Sequence, residues 1–449
     1  MRVASGSRHE NRQSGADGFC GRHCALPSSS RTGVCADDLH PSSHLAPLHL
    51  AVALDGAGWH PAAWREPHSR PSELFSASYW TDVVTTAERG LLDFVTIEDS
   101  LSVPANPLEP VDDAVDRVRA RLDAHLVAAR LAPITSNIGL IPTITTIHTE
   151  PFHVSKAVAT LDYTSRGRAG WQVKVSASES EAAQFGRRDI PALTDADRQL
   201  IVSGVLPDFV RALFDEAAEA ADVVRRLWDS WEDDAEIRDV EQRRFIDRDK
   251  LHYIDFEGKY LSVRGPSVTP RPPQGHPVVT ALAHQRVAYE LAARTADLVF
   301  VTPFDDEQVT AILGEVRAAE EHVQRTGEPL RVFTDIVVFF DAPEETGKER
   351  LARLDAQAGA EYRSDALTFT GTAAELADLL LRWQQLGIDG FRLRPGVVVD
   401  DLDAIAGELV PELQRRSVFR TEYPQTNLRG LLGLPIDVPN RYAAGTPAA

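Results

Sequence analysis

The sequence predicts an α/β fold, a (β/α)8 TIM barrel with insertions. About eight short apolar runs alternate with segments of helical spacing along the chain. Such alternation implies parallel strands joined by crossover helices. Gly56-x-Gly58, after the first strand, lacks the third glycine of a dinucleotide-binding turn, so a doubly wound sheet is disfavoured. The 449 residues suffice for one barrel with insertions.

The composition narrows the class of protein further. The chain is 43% hydrophobic and has 47 Lys and Arg against 67 Asp and Glu, which gives a net charge of −20. So acidic a chain is a poor candidate for nucleic-acid binding, which needs a basic surface. No run approaches the ~18 apolar residues of a membrane span, and three cysteines exclude a disulfide scaffold. We therefore expect a cytoplasmic protein without nucleic-acid or membrane partners.

Residues 1–46 are predicted to be a disordered N-terminal extension. They are rich in Ser, Arg, Gly and His and lack both apolar periodicity and the apolar core of a signal peptide. A start codon placed too far upstream is an alternative explanation. All three cysteines lie here, but Cys20 and Cys24 have C-x3-C spacing without a second pair of ligands, so zinc is the weaker interpretation. We expect no metal site.

The barrel is predicted over 47–440, and its first half follows four strands. Gly90 ends the first helix as a C′ glycine, and Pro151 stands at the favoured start of the third. The predicted strands are 47–54, 91–98, 137–144 and 168–175. The predicted helices are 76–89, about 111–131, 151–163 and 207–228.

The second half repeats this alternation. Thr372 and Glu375 have the spacing of a capping box, which predicts the start of a helix that runs to Gly387. The predicted strands are 276–283, 296–302, 331–340 and 388–393. The other predicted helices are 285–294, one that ends near Arg325, and 401–415.

Two segments, about 177–206 and 229–275, are too long for simple connections. Loops of this length in a compact domain are usually functional or disordered, and we interpret both as insertions. Chemistry in a barrel is found at the carboxyl ends of the strands. That position selects five groups of residues: His60, Glu98–Asp99, Thr143–His148, Gln172–Ser176 and Thr280–Gln285.

Several segments resemble the bacterial luciferase-like flavin monooxygenases. The similarity is to the branch that contains the nitrilotriacetate, dibenzothiophene-sulfone and long-chain-alkane monooxygenases. The segments that carry it include TAERGLLDFVTIEDSL, LDYTSRGRAGW, DGFRLRPG and FRTEYPQTNLRGLLGL, in family order over about 47–435. The resemblance implies a barrel that takes reduced FMN from a separate NAD(P)H:flavin reductase. It also implies insertion of one oxygen atom from O2 into a small organic substrate, and a dimer or tetramer.

The resemblance assigns candidate cofactor-binding residues. Asp99 matches a family position near the flavin, although an N-cap or loop role is the alternative. The hydroxyls of Thr143 and Thr145 suit a flavin edge, although threonine also favours strands. The remaining candidates for flavin contact are Gln172, Ser176, His284 and Gln285.

His148 and His60 are the candidate catalytic residues. Histidine titrates near neutrality, so at a barrel mouth it can protonate or orient a reacting group. A solvated loop histidine is the alternative for His148. Trp59 and Trp64, which flank His60, either wall an apolar substrate pocket or cover the barrel end. Asp162 and Arg168 are interpreted as a structural pair at one corner.

The chain departs from the family where the FMN phosphate is expected. Helix N-termini bind anions through free N–H groups. The family's serine and glycine in the loop after strand five are absent, and Ala288 stands at the later glycine position. Gln172 replaces an asparagine. These departures leave two alternatives open, a deazaflavin-dependent oxidoreductase on the same barrel or a non-catalytic subunit paired with a catalytic paralogue. A carboxylate-pair glycosidase is disfavoured because Glu98 and Asp99 are adjacent.

Overall fold

Eight parallel strands close into a barrel in the computed structural model, which describes residues 47–103 and 114–443. The pairing order is β10-β9-β4-β3-β2-β1-β13-β11, and β10 pairs with β11 to close the ring. The predicted (β/α)8 barrel is confirmed. The strands in the described residues are β1 (His49–Leu54), β2 (Phe94–Ile97), β3 (Gly139–Thr145), β4 (Gly170–Lys174), β5 (Glu236–Asp239), β6 (Arg244–Ile246), β7 (Phe256–Glu257), β8 (Ser262–Val263), β9 (Val278–Leu282), β10 (Leu298–Val301), β11 (Arg331–Phe340), β12 (Leu367–Gly371) and β13 (Gly390–Pro395).

Helices cover the outside of the barrel and begin at residues suited to capping. Ser76 accepts a hydrogen bond from the Tyr79 N–H at the first helix, and the capping box of Thr372 and Glu375 is present. Among the described residues, no helix is long and apolar enough to span a membrane. The helices are α1 (Ala77–Arg89), α2 (Ala124–Leu131), α3 (Pro151–Ser165), α4 (Glu179–Phe185), α5 (Asp195–Val202), α6 (Asp208–Asp229), α7 (Arg286–Thr295), α8 (Asp306–His322), α9 (Gly347–Ala358), α10 (Ala373–Gln385), α11 (Val398–Ala404), α12 (Val410–Arg415) and α13 (Leu428–Leu431).

The second helix is shorter than predicted. The sequence suggested 111–131, but residues 114–123 are not helical and 111–113 lie outside the described residues. The Asp123 side chain accepts a hydrogen bond from the Leu126 N–H and so starts α2 only at Ala124. Arg121 instead pairs with Asp55 at the end of β1, which holds the preceding segment across the barrel mouth.

A ninth strand of the sheet, β12, was not predicted. Residues 336–340 in the second half of β11 pair with it, whereas residues 331–334 pair with β10. β12 therefore lies beside β11 at the carboxyl end of the barrel, where β10 has already ended. Four of its five residues are only partly buried, and two of them are threonines, so the segment lacks the apolar run by which a buried strand is predicted. α9, which precedes it, was also missed.

The two predicted insertions contain regular structure. α4 and α5 lie within 177–206, between β4 and α6. The 229–275 segment forms two antiparallel hairpins, β5–β6 and β7–β8. The predicted extension at 1–46 lies outside the described residues and stays a prediction.

The amino end of the barrel is closed by the chain that follows β13. Leu428, Leu431 and Leu432 pack with Phe94 and other buried strand residues in one apolar cluster. A side chain at Gly139 would not fit, because its Cβ would lie 2.6 Å from Leu428 Cδ1. This plug leaves the opposite, carboxyl end as the open mouth.

The corner between α3 and β4 is structural, but not as an ion pair. Asp162 accepts from the Ala169 N–H, at 3.2 Å, and from the backbone and side chain of Gln274. Arg168 donates to carbonyl oxygens, among them Ile138 at 2.7 Å. The two residues thus bind different partners, and burial raises the pKa of Asp162 to about 6. The sequence missed Gln274, a distant residue that completes the corner.

Candidate active site

A cavity of about 160 Å³ lies at the carboxyl ends of β2, β3 and β4. We call it the mouth cavity, and its wall includes Asp99, Thr143, Thr145, Lys174 and Glu181. Three of these side chains, Asp99, Thr143 and Thr145, were predicted cofactor-binding residues. The structure therefore brings part of the predicted site together.

Asp99 organises the loops around the mouth cavity. Its Oδ1 accepts from the Ser100 N–H at 2.7 Å, and its Oδ2 accepts from the Ala124 N–H at 3.0 Å. Burial raises the pKa of Asp99, although these two N–H donors oppose the shift. The carboxylate thus accepts from the first N–H of α2, whose N-cap residue is Asp123, as well as lining the cavity.

Thr143 and Thr145 lie two positions apart on β3, so their side chains point to the same side of the strand. Both residues are buried. The Thr143 Oγ1 accepts from the Gln172 amide at 3.0 Å. The Thr145 Oγ1 is buried and has no hydrogen-bond partner. A buried hydroxyl without a partner costs free energy, so this oxygen is available to a ligand.

Beneath the mouth cavity lies an ionic network that the sequence reasoning missed. Arg392 donates to both oxygens of Asp335, at 2.7 and 2.5 Å, and to the Gln172 Oε1 at 2.5 Å. Arg394 also binds Asp335, and all three charged residues are almost fully buried. The signal was present in DGFRLRPG, because arginines at alternate positions on a strand share one face.

This network fixes the direction of the hydrogen bonds around the mouth cavity. A guanidinium can only donate, so the Gln172 Oε1 must accept from Arg392. The Gln172 amide nitrogen then donates to Thr143 and, at 3.2 Å, to Glu98. Thr143 accepts in that bond, which leaves its own O–H free to donate. The network thus turns the Thr143 hydroxyl into a hydrogen-bond donor for a ligand.

His284 lies at the mouth among charged residues from later strands. Its Nδ1 lies 2.9 Å from the Thr302 Oγ1 and its Nε2 lies 3.3 Å from an Asp365 oxygen. Asp365 also accepts from Arg394 at 2.6 Å, and the Arg394 guanidinium lies 4.5 Å from the centroid of the Trp59 ring. Burial lowers the pKa of His284. His284 is thus grouped with Arg394 and not with the mouth cavity.

Ser176 supports the wall formed by α4. Glu181, on that helix, accepts from the Leu101 N–H at 3.2 Å and lies 3.6 Å from the Lys174 ammonium. Burial would raise the pKa of Glu181, but Lys174 and the Ser176 hydroxyl, with donors from the β2 loop, lower it overall. This carboxylate therefore holds α4 against the loop after β2. Ser176 is not among the residues that line the mouth cavity.

Gln285 immediately precedes α7, where the phosphate of a flavin was expected. Its amide nitrogen donates to the Ile201 carbonyl at 3.2 Å, and its Oε1 is buried without a partner. The side chain makes no capping hydrogen bond, so the first N–H groups of α7 receive no side-chain acceptor. The helix terminus therefore keeps its capacity to bind an anion.

The two candidate catalytic histidines differ in what their nitrogens contact. The His60 Nδ1 accepts from the Ala62 N–H at 3.0 Å, and its Nε2 lies 3.1 Å from an Asp355 oxygen. The His148 Nε2 is buried without a partner. Burial lowers the pKa of both imidazoles. Neither histidine lines the mouth cavity: His148 lines an adjoining cavity, and His60 lies apart from both.

Comparison with known proteins identifies the family. The sequence model of the family described as "Luciferase-like monooxygenase" matches residues 57–390. The chain belongs to the luciferase-like monooxygenases. It is 30% identical to N-acetyl-S-(2-succino)cysteine monooxygenase of Bacillus subtilis (strain 168), over 88% of this chain and 98% of the relative. It is 29% identical to nitrilotriacetate monooxygenase component A of Aminobacter aminovorans, over 86% and 96% of the two chains.

A solved structure of another protein has the same fold as this luciferase-like monooxygenase. EDTA monooxygenase from Chelativorans sp. BNC1 superimposes with a TM-score of 0.71 at 23% identity. The match covers 87% of this chain and 99% of that one. The predicted family and barrel are both confirmed.

Proposed function

We propose that this protein is a flavin-dependent monooxygenase that oxygenates a small organic substrate with O2 and reduced FMN. A separate NAD(P)H:flavin reductase would supply the reduced flavin in the cytoplasm, and the enzyme would be a dimer or tetramer. The unpartnered Thr145 hydroxyl in the mouth cavity of a luciferase-like barrel is the observation that carries the proposal. It marks a polar position, at the expected end of the barrel, that a ligand would complete.

The residues at the mouth fit a flavin. Thr143, oriented as a donor by Gln172, and the free Thr145 hydroxyl would meet polar atoms of the ring system. The uncapped N-terminus of α7 would take the phosphate, with His284 and Gln285 beside it in place of the family's serine. Bound reduced FMN would supply the two electrons that activate O2.

The protein's own contribution is orientation and exclusion of water. Asp99 and Ser176 hold the loops and α4 that wall the mouth cavity, and Glu181 fastens α4 to the β2 loop. Closing a site in this way protects reactive species from solvent. Of the two histidines, only His148 enters the proposal as a catalytic residue, because it has a free ring nitrogen.

The start of α7 also favours an alternative. Without the glycine and serine expected there, the phosphate site is altered, and Ala288 is buried. A deazaflavin-dependent oxidoreductase, or a non-catalytic subunit paired with a catalytic paralogue, would account for that change. These alternatives differ from the main proposal in whether FMN binds at all.

An anaerobic titration with reduced FMN, with oxidised FMN alongside, tests the proposal. We expect micromolar binding of the reduced form, followed by a change in the flavin absorbance spectrum when O2 is admitted. The Thr145→Val variant should bind reduced FMN more weakly. Binding of neither redox form would overturn the proposal and direct attention to a deazaflavin or to a catalytic partner.

A further inference from the structure

A second cavity, of about 340 Å³, adjoins the mouth cavity, and Thr149 lines both. We call it the side cavity. Its walls come from 146–151 after β3, 185–188 at the end of α4, Glu216 of α6, and 260–263 in the β7–β8 hairpin. Each of the two insertions therefore supplies one wall. The side cavity thus lies where the insertions meet the end of β3.

His148 presents an unused nitrogen to the side cavity. Its ring is stacked on Phe185, with centroids 5.3 Å apart and planes 4° apart, and the residue is only 8% exposed. The stack fixes the ring plane while the Nε2 is left without a hydrogen-bond partner. Buried polar atoms are nearly always paired in folded proteins, so an unpaired one beside a cavity indicates a ligand atom.

Tyr260, from the second insertion, provides a second polar group in the lining of the side cavity. Its hydroxyl oxygen is buried and has no hydrogen-bond partner. Its position is fixed, because the backbone N–H groups of Tyr260 and Leu261 both donate to Glu219, at 2.9 and 2.6 Å. The side cavity therefore has one polar group from the loop after β3 and one from the second insertion.

The charged residues of the side cavity are already paired with one another. Arg188 binds both oxygens of Glu216, at 2.7 and 2.6 Å. Arg187 lies 2.6 Å from an oxygen of Glu150. Among the described residues that line the cavity, each guanidinium thus has a carboxylate partner.

One more cation lies close to this cavity. The Lys259 ammonium lies 4.6 Å from the centroid of the Tyr260 ring. The pKa of Lys259 is raised chiefly by the Tyr260 side chain and, to a smaller extent, by the carboxylates of Asp215 and Glu219. The His148 imidazole is kept neutral at pH 7, because burial lowers its pKa. The cavity therefore offers hydrogen bonds without an excess of charge.

We propose that the side cavity binds an uncharged polar group of the substrate, between the His148 Nε2 and the Tyr260 hydroxyl. This inference rests on the proposed function and names its substrate class: a small organic molecule with a carboxamide or a similar neutral group that both donates and accepts. A carboxylate is disfavoured because Arg188, the less exposed of the two lining arginines, already binds both oxygens of Glu216 and its charge is thereby neutralised. The other arginine, Arg187, forms its ion pair with Glu150 in solvent, where such a pair contributes little.

The test compares two probes that differ only in charge, butyramide and butyrate, on the full-length protein without flavin. Histidines labelled with ¹³C report binding by NMR, and the His148 signal is assigned by its loss in His148→Phe, which keeps an aromatic ring beside Phe185. We expect butyramide to shift the His148 signal saturably and to bind about tenfold more tightly than butyrate. Equal or tighter binding of butyrate would overturn the substrate class.

The Tyr260→Phe variant removes only the unpartnered oxygen. We expect it to weaken butyramide binding about threefold to tenfold while the melting temperature stays close to that of the wild type, because the interaction lost inside the protein is only that with the solvent-exposed Lys259. Tyr253→Phe, at an exposed tyrosine of the same insertion, is the matched control and should bind like the wild type. A melting temperature lowered by Tyr260→Phe, or unchanged binding, would contradict the inference.

The binding test needs no flavin, reductase or O2, so its outcome is independent of the flavin titration. A protein that binds butyramide but not reduced FMN would retain the side-cavity site and lose the proposed monooxygenase function. A protein that binds reduced FMN but neither probe would retain the function and lose the side-cavity inference.

Discussion

Thr143 and Thr145 are two threonines on the same strand whose hydroxyl groups have different surroundings. Both face the mouth cavity, yet only Thr143 has a hydrogen-bond partner. The difference comes from the network below them, in which Arg392 orients Gln172 towards Thr143. The partner of Thr145 is left to a ligand.

Valine substitutions at these two positions separate stability from binding. Thr143→Val removes a buried hydrogen bond and should lower the free energy of unfolding by about 1 kcal/mol. Thr145→Val removes a hydroxyl without a partner, and the free energy of unfolding should be unchanged or higher. Urea denaturation measures both effects. A loss of stability in Thr145→Val would show that its hydroxyl has a structural partner.

At the scale of elements, one buried carboxylate, that of Glu181, holds α4 against the loop after β2. Glu181 contacts the β2 loop and Lys174, whereas Glu179 on the same helix is exposed. Glu181→Ala should therefore loosen residues 179–185 and speed their backbone hydrogen exchange, measured by mass spectrometry. Glu179→Ala serves as the control and should leave the exchange unchanged. Equal exchange in both variants would mean that α4 is held by its apolar contacts alone.

The plug at the amino end of the barrel depends on a residue without a side chain. A Cβ at Gly139 would lie 2.6 Å from Leu428 and 2.8 Å from the Phe94 Cβ. Gly139→Ala should lower the free energy of unfolding by about 1–3 kcal/mol through overpacking. Gly314→Ala, in α8 where the added Cβ meets open space, should instead raise it by about 0.5–1 kcal/mol. Urea denaturation of the two variants checks the opposite signs.

At the scale of the whole molecule, Asp297 joins distant parts of the chain. It accepts from Arg225 of α6, from Arg429 of the plug and from the Val279 N–H of β9. Burial alone would raise the pKa of Asp297, but the two arginines and the N–H donor lower it to about 2. The carboxylate thus favours folding only while it is ionised.

The lowered pKa predicts a loss of stability in acid. The contribution of Asp297 is complete well above the unfolded-state pKa of about 3.9 and disappears as the pH falls towards 2. The difference in unfolding free energy between the wild type and Asp297→Asn should shrink by about 1 kcal/mol between pH 5 and pH 3. Asp403→Asn, at an exposed aspartate, should show no such trend. A constant difference for Asp297→Asn would exclude this ionic role.

The barrel was predictable because its strands are buried on both faces and therefore stand out as apolar runs. β12 was not, because it is only partly buried and is defined by its pairing with β11. The start of α2 also depends on a distant contact, between Arg121 and Asp55. Local sequence does not encode such pairings.

The residues of the candidate site also fall into those that the sequence predicted and those that it did not. Asp99, Thr143 and Thr145 were predicted because they follow or end strands, and the mouth cavity contains all three. Asp335 and Arg392 were missed because their partners lie far apart in the chain and meet only when the barrel closes. The free nitrogen of His148 likewise becomes visible only when the neighbouring insertion is in place.

The order of the strands has a consequence for synthesis in the cell. β1, the first strand, pairs with β13, and the apolar centre of the barrel is completed only by residues up to Leu434. A growing polypeptide cannot bury these strands until the residues up to Leu434 have left the ribosome. The earlier strands would meanwhile be open to wrong pairings. This luciferase-like monooxygenase should therefore depend on molecular chaperones during translation more than a protein whose N-terminal half folds first.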